Sequence, residues 1–103
     1  MLDLSAEDLG MLNLILTERM PGVKVLAFGS RVKGRARKFS DLDLALDAGM
    51  PIGWSRIGDL KEALSESDLP IKVDVIDLND ISDRFRELVL KHAIPLPEPA
   101  KAG

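Results

Sequence analysis

Residues 41–47 read Asp-Leu-Asp-Leu-Ala-Leu-Asp, a strict alternation of period two. Only an extended strand converts that period into two distinct faces, so this stretch reads as a half-buried strand. Leu42 and Leu44 point into a core, while Asp41, Asp43 and Asp47 share the opposite side. Carboxylates held at i and i+2 repel each other unless a cation sits between them. Alone, the pattern would suit a merely acidic solvent face. It is preceded, however, by Gly29, Ser30, Gly34 and Ser40, within the run Ala-Phe-Gly-Ser-Arg-Val-Lys-Gly-Arg-Ala-Arg-Lys-Phe-Ser-Asp-Leu-Asp. If each fixed residue occurs at about one position in fifteen, six matches arise by chance roughly once in ten million start sites. Asp41 and Asp43 are therefore read as metal-binding carboxylates beside a phosphate-cradling turn.

The rest of the chain supplies a frame for that strand. Ser5 followed by Asp8 resembles a capping box, ahead of Leu9, Leu12, Leu16 and Met20 at helical spacing, which predicts a helix over 6–19 ended by Pro21-Gly22. Residues 23–28 form a strand broken at Gly29-Ser30, and residues 30–35 can make one helical turn. A loop over 48–53 leads to a second helix over 54–66, with Ile57, Leu60 and Leu64 on one face. Residues 71–77 read as a third strand and 80–92 as a last helix. Ile94 to Leu96 add a short edge strand, and 97–103 read as a disordered tail after a single domain over 1–96. Helices and strands alternate, so the expected fold is α/β (α+β), a small mixed sheet of three to four strands with flanking helices.

Composition narrows the chemistry. The chain has 103 residues, enough for one domain and one modest core. It has no cysteine and one histidine, so zinc-thiolate sites, Cys nucleophiles and multi-histidine centres are excluded. A metal must be held by oxygen, which favours Mg²⁺ or Mn²⁺. The N-terminus is acidic and no apolar run approaches a membrane span, so a cytoplasmic location without membrane contact is expected. The net charge of −3 conceals a local +5 over residues 31–38, from Arg31, Lys33, Arg35, Arg37 and Lys38. One small basic patch on an acidic body suits a polyphosphate better than stable binding to duplex nucleic acid.

Gly29 lets the backbone turn sharply and lets phosphate oxygens approach. Ser30 offers an N–H and a hydroxyl, the turn after it aims further N–H groups at an anion, and Gly34 permits close approach on the far side. Gly29-x4-Gly34 brushes against the P-loop pattern, but Arg35 and Ala36 stand where Lys and Ser or Thr are required. Arg31, Lys33 and Arg35 lie nearest the phosphates, and Arg35 is expected to offset charge on a leaving pyrophosphate. A third carboxylate comes from Asp74, which lies between Val73 and Val75 and so faces away from the core; Asp77 is the alternative and reads more easily as a turn or helix cap. The roles then divide. Asp41 and Asp43 bridge two Mg²⁺ ions, while Asp74 shares one ion and acts as general base toward an attacking hydroxyl. Trp54 is read as packing and His92 as a helix C-terminal residue favoured by the dipole.

Gly29-Ser30, Gly34, Ser40-Asp41-Leu42-Asp43 and Asp74 together resemble the motif of the minimal nucleotidyltransferases of the DNA polymerase β-like superfamily. The resemblance covers nearly the whole chain, from the first helix to Ile94-Pro95-Leu96. It implies a nucleotidyltransferase, polymerase β palm-like fold and transfer of a nucleoside monophosphate, foremost AMP from ATP, to a hydroxyl with release of pyrophosphate. The smallest members stand beside a HEPN-domain protein, as the antitoxin that adenylylates a tyrosine of the toxin. No second domain is present here to hold the base or the acceptor, so the acceptor or an oligomeric partner is expected to complete the site. Two other functions stay open: an antitoxin that neutralises its partner by binding alone, and a small-molecule transferase of the antibiotic-modifying type. The missing acceptor domain weakens the latter.

Overall fold

The computed structural model describes residues 4–29 and 41–97. The first helix, α1 (Ala6–Arg19), starts where Ser5 Oγ accepts the Asp8 N–H at 3.1 Å. Glu7 and Asp8 in its first turn suit the positive end of the helix dipole, and Leu12 and Leu16 are its buried stripe. The chain then enters β1 (Lys24–Phe28) and, after the segment outside the described residues, β2 (Leu42–Asp47). Helix α2 (Trp54–Ser65) buries Ile57, Leu60 and Leu64, and leads to β3 (Val73–Asp77). A 3-10 turn (Leu78–Asp80), α3 (Asp83–His92) and β4 (Ile94–Pro95) complete the described chain.

The strands lie in the order β3-β2-β1-β4. β1 runs antiparallel to β2 and to β4, whereas β2 and β3 are parallel because α2 carries the chain back between them. This is the mixed four-stranded sheet with flanking helices that the alternation of elements implied. Its two faces differ. Leu42, Leu44 and Leu46 of β2 join Leu12, Leu16, Ile57, Leu60 and Leu64 in the main core. The other face carries a smaller cluster of Leu26, Ala45, Leu78 and Val89, which α3 covers.

Two elements differ from the sequence expectation. The last helix does not begin at residue 80. Asp77 caps a separate 3-10 turn by accepting the Asn79 N–H at 3.3 Å, and Ile81 is extended, with φ −127° and ψ 166°. Ser82 then sets a new start, its Oγ accepting the Phe85 N–H at 3.2 Å. The third strand begins at Val73 rather than Ile71. Pro97, assigned to the tail, is tied down, because its carbonyl accepts a hydrogen bond from Asn13 Nδ2 at 3.0 Å. The helical turn expected over 30–35 and the tail from 98 onward lie outside the described residues.

Candidate active site

β2 is the central carrier of the site. In register, Asp43 stands opposite Phe28 of β1 on one side and opposite Asp74 of β3 on the other. Directly paired residues of neighbouring strands project to the same face, and the strands are about 4.8 Å apart. The carboxylates of Asp43 and Asp74 are therefore neighbours. Asp41 is two residues before Asp43, and Leu42 N–H donates to the Lys72 carbonyl at 2.9 Å, closing the sheet at that end. This acidic end lies on the face away from the main core, beyond the cluster capped by α3. Asp41, Asp43 and Asp74 are consequently only half-buried.

The electrostatics are unfavourable to the fold. Burial pushes the Asp43 carboxyl above the usual carboxylate range, and the negative charges of Asp74 and then Asp41 push it further in the same direction. One cation answers them among the described residues: Lys72 Nζ lies 3.8 Å from Asp74 Oδ1. Both side chains are well exposed, so the pair contributes little to stability. Lys72 is absent from the sequence-based site, although its spacing carries the signal. It precedes Asp74 by two residues and so shares its face.

Gly29 completes the arrangement at the end of β1. Its φ is +84°, in the left-handed region that side chains rarely adopt. A Cβ at Gly29 would overlap the Asp43 carboxylate itself, with Cγ only 3.2 Å away. Sequence alone assigns this glycine to close phosphate approach; the structure shows that it already makes close approach to Asp43.

These residues fit a divalent cation. All donors are carboxylate oxygens, and Asp43 carries a repulsion that a cation would relieve. No group of three or more Asp, Glu or His among the described residues is arranged to hold a metal by itself.

The remaining acids are structural. Asp77 sits in register with Leu46 and so belongs to the opposite side of the sheet from Asp74. Its carboxylate accepts the Ile52 N–H at 2.6 Å as well as that of Asn79, clamping the 48–53 loop onto the end of β3. Asp47 accepts from Asn79 Nδ2 at 2.9 Å and from Gly49 N–H at 3.0 Å, and the Asn79 bond lowers its pKa first, the Gly49 bond second. Asp77→Ala is expected to leave partly buried N–H groups unpaired and to cost about 1–3 kcal/mol in a urea titration. Unchanged stability would show that the clamp contributes nothing. Trp54 does not pack as expected: it is 89% exposed at the start of α2. His92 ends α3, as read.

Of the residues assigned to the site from sequence, the structure thus brings together Gly29, Asp41, Asp43 and Asp74. Ser30, Arg31, Lys33, Gly34, Arg35 and Ser40, with Arg37 and Lys38, lie outside the described residues. No helix among the described residues is long and apolar enough to cross a membrane.

Residues 12–101 match the family described as polymerase beta, nucleotidyltransferase. The chain is 45% identical over 100 residues to "Probable protein adenylyltransferase MntA" of Haemophilus influenzae, covering 97% of this chain and 88% of that one. Among solved structures it is similar to one described as a "putative minimal nucleotidyltransferase", with 34% identity, a TM-score of 0.67, and coverage of 90% of this chain and 97% of the other. A toxin–antitoxin crystal structure with AMP-PNP shares the fold at a TM-score of 0.73 and 23% identity, over 94% of this chain and 76% of that chain.

Proposed function

Because the chain belongs to the polymerase β nucleotidyltransferase family, we propose that it is a protein adenylyltransferase, moving AMP from ATP onto a hydroxyl of a partner protein. The partner class we infer is a HEPN-domain toxin, with this chain as its antitoxin, both acting in the cytoplasm. The relative named as a protein adenylyltransferase supports the acceptor class, and the toxin–antitoxin structures of like fold support the setting. One observation carries the chemical reading. Asp41, Asp43 and Asp74 converge at one end of the sheet, at a cost to the fold that the raised Asp43 pKa records.

In this reading Asp41 and Asp43, with Asp74, hold Mg²⁺ in the company of the nucleotide's phosphates. Bound there, the ion supplies charge stabilisation at the phosphoryl oxygens. Asp74 accepts the proton of the acceptor hydroxyl, so that the oxygen can attack the α-phosphorus. As that bond forms, the bond from the α-phosphorus to the bridging oxygen breaks and pyrophosphate leaves. Gly29 and Ser30, with Arg31, Gly34, Arg35 and Ser40, are assigned to the triphosphate, where N–H groups and cations offset its charge.

The test uses α-labelled ATP, Mg²⁺ and a tyrosine-bearing HEPN protein as acceptor. Label is expected on the acceptor, with labelling blocked when EDTA is present from the start and restored by excess Mg²⁺. Asp74→Asn is expected to lower the rate by about 10²–10⁴-fold, the range for loss of a general base. Transfer that persists at the wild-type rate in Asp74→Asn would remove Asp74 from the mechanism. Neutralisation of the toxin without any transfer would favour an antitoxin that acts by binding alone.

A further inference from the structure

Helix α3 borders the carboxylates. It starts beyond the far end of β3 and ends just before Ile94, which pairs with Ala27 of β1, so it crosses the sheet toward the Gly29 end. The face it crosses is the one that carries Asp43. Ala45, two residues further along β2, shares that side and belongs with Val89 of α3 to the smaller cluster. Phe28, in register with Asp43, packs against the same cluster, as does Ala93 at the end of the helix.

Helical geometry separates the two flanks of α3. At about 100° per residue, Arg86 stands about 60° to one side of buried Val89, with Phe85 about 40° and Leu88 about 100° to the other. Hydrogen bonds from Asn79 and Gly49 lower the Asp47 pKa first, and the Arg86 charge lowers it further, so the Arg86 flank is turned toward the far end of β2. The Phe85–Leu88 flank is turned the other way, toward Asp43 and Asp74. Phe85 is 41% and Leu88 61% exposed, although Phe85 stands nearer the Val89 direction than half-buried Arg86 does. The other exposed large hydrophobics among the described residues lie elsewhere: Leu14 on α1, Met50 and Trp54 at the opposite end of the sheet, and Leu90 on the Arg86 flank.

The chemistry sets the direction of the nucleoside. In-line displacement puts the attacking hydroxyl and the departing pyrophosphate on opposite sides of the α-phosphorus. Asp74 is on the β3 side of Asp43 and the phosphate-assigned segment begins on its β1 side, so that line runs across the strands. The bond to the ribose lies at an angle to it and leads along the strands, toward α3 in one direction and away from it in the other. A purine stacks on apolar and aromatic side chains. Two such side chains one helical turn apart suit a single ring, whereas a stable protein interface takes about 800 Å² from each partner.

We propose that the carboxylate-facing flank of α3 seats the adenine base, with the purine lying against Phe85 and Leu88. The proposal rests on the ATP reading above. The triphosphate then runs toward Gly29, the α-phosphorus lies at the carboxylates, and the base reaches back over the helix.

The probes are ATP and inorganic tripolyphosphate, which carries the phosphates without the base, each titrated with Mg²⁺ by calorimetry. Phe85→Ala and Leu88→Ala are each expected to weaken ATP binding about fivefold to tenfold and to leave tripolyphosphate within about twofold of wild type. Leu90→Ala, on the opposite flank, is expected to leave both ligands unchanged. All three side chains are exposed, so the variants should fold, which a thermal melt checks. Equal weakening of both ligands, ATP binding unmoved by Phe85→Ala and Leu88→Ala, or an equal loss in Leu90→Ala would overturn the proposal. Intact ATP affinity with a raised KM for the protein acceptor would also overturn it, and would assign this flank to the acceptor. Failure of wild type to bind ATP at all would overturn the ATP reading itself, whereas tight binding unmoved by the variants would overturn the base seat alone.

Discussion

Asp43→Asn is expected to abolish nucleotidyl transfer and, at the same time, to raise the melting temperature of the metal-free protein. Most active-site substitutions leave open whether activity fell with the chemistry or with the fold. Here the two readouts move in opposite directions. Asp43 is half-buried between Asp74 and Asp41, and burial followed by their charges raises its pKa. A carboxyl whose pKa is higher folded than unfolded binds more protons in the native state. Stability therefore falls as pH rises from the ordinary carboxylate value of 3.8 through the raised one, and the full cost remains above it. Asparagine has nearly the same shape and no charge, so it removes this cost at neutral pH. Asp47 works with the opposite sign. Its pKa is lowered, so its contribution is present above 3.8 and is lost as pH falls through the lower folded value. The stability difference between wild type and Asp43→Asn should consequently lie on the neutral side of 3.8 and fade in acid. Activity should fall by about 10³-fold or more, since a metal-holding carboxylate is worth several kcal/mol of transition-state stabilisation. Calorimetry with and without Mg²⁺ gives a further check: wild type should gain more stability from the ion than the variant does. A lower melting temperature in Asp43→Asn, or transfer within about tenfold of wild type, would contradict this account.

The same tension explains why so much of the fold and site was legible in the sequence. A half-buried strand carrying acids two residues apart on one face is costly, so Asp41, Asp43 and the register of β2 stand out in a pattern of period two. The first two helices and the central strands follow from periods and caps acting over short spans, as Ser5 shows. What was missed depends on contacts distant in sequence. Asp77 is drawn to the 48–53 loop by the Ile52 N–H, which splits the last helix and leaves Ser82 to start it again. Trp54 stands at helical spacing from Ile57, yet as the first residue of α2 it is 89% exposed, so helical spacing alone does not show which residues the core reaches. The alternation with Val73 and Val75 favoured Asp74 over Asp77, and the register agrees with it: Asp74 pairs with Asp43, Asp77 with Leu46.

Gly29→Ala is expected to be as damaging to transfer as the loss of a carboxylate, for a reason that a double substitution can isolate. The added methyl meets two obstacles. At φ +84° a side chain costs about 1–2 kcal/mol in backbone energy alone. The Cβ would also overlap the Asp43 carboxylate, which must then leave its position opposite Asp74 or push β1 away from β2. Displacing a reacting group by about 1 Å can lower a rate roughly 10²-fold, and the phosphate-assigned turn begins at the next residue. The two costs separate in a cycle with Asp43→Ala. The Asp43 Cβ lies 3.5 Å from the position the new methyl would take, an ordinary van der Waals contact, so truncating the carboxylate removes the overlap but not the backbone strain. The stability loss from Gly29→Ala should therefore be smaller in the Asp43→Ala background than in wild type, leaving only the backbone part. Equal losses in the two backgrounds would show that the glycine answers to its backbone angle alone, and that its closeness to Asp43 has no energetic consequence.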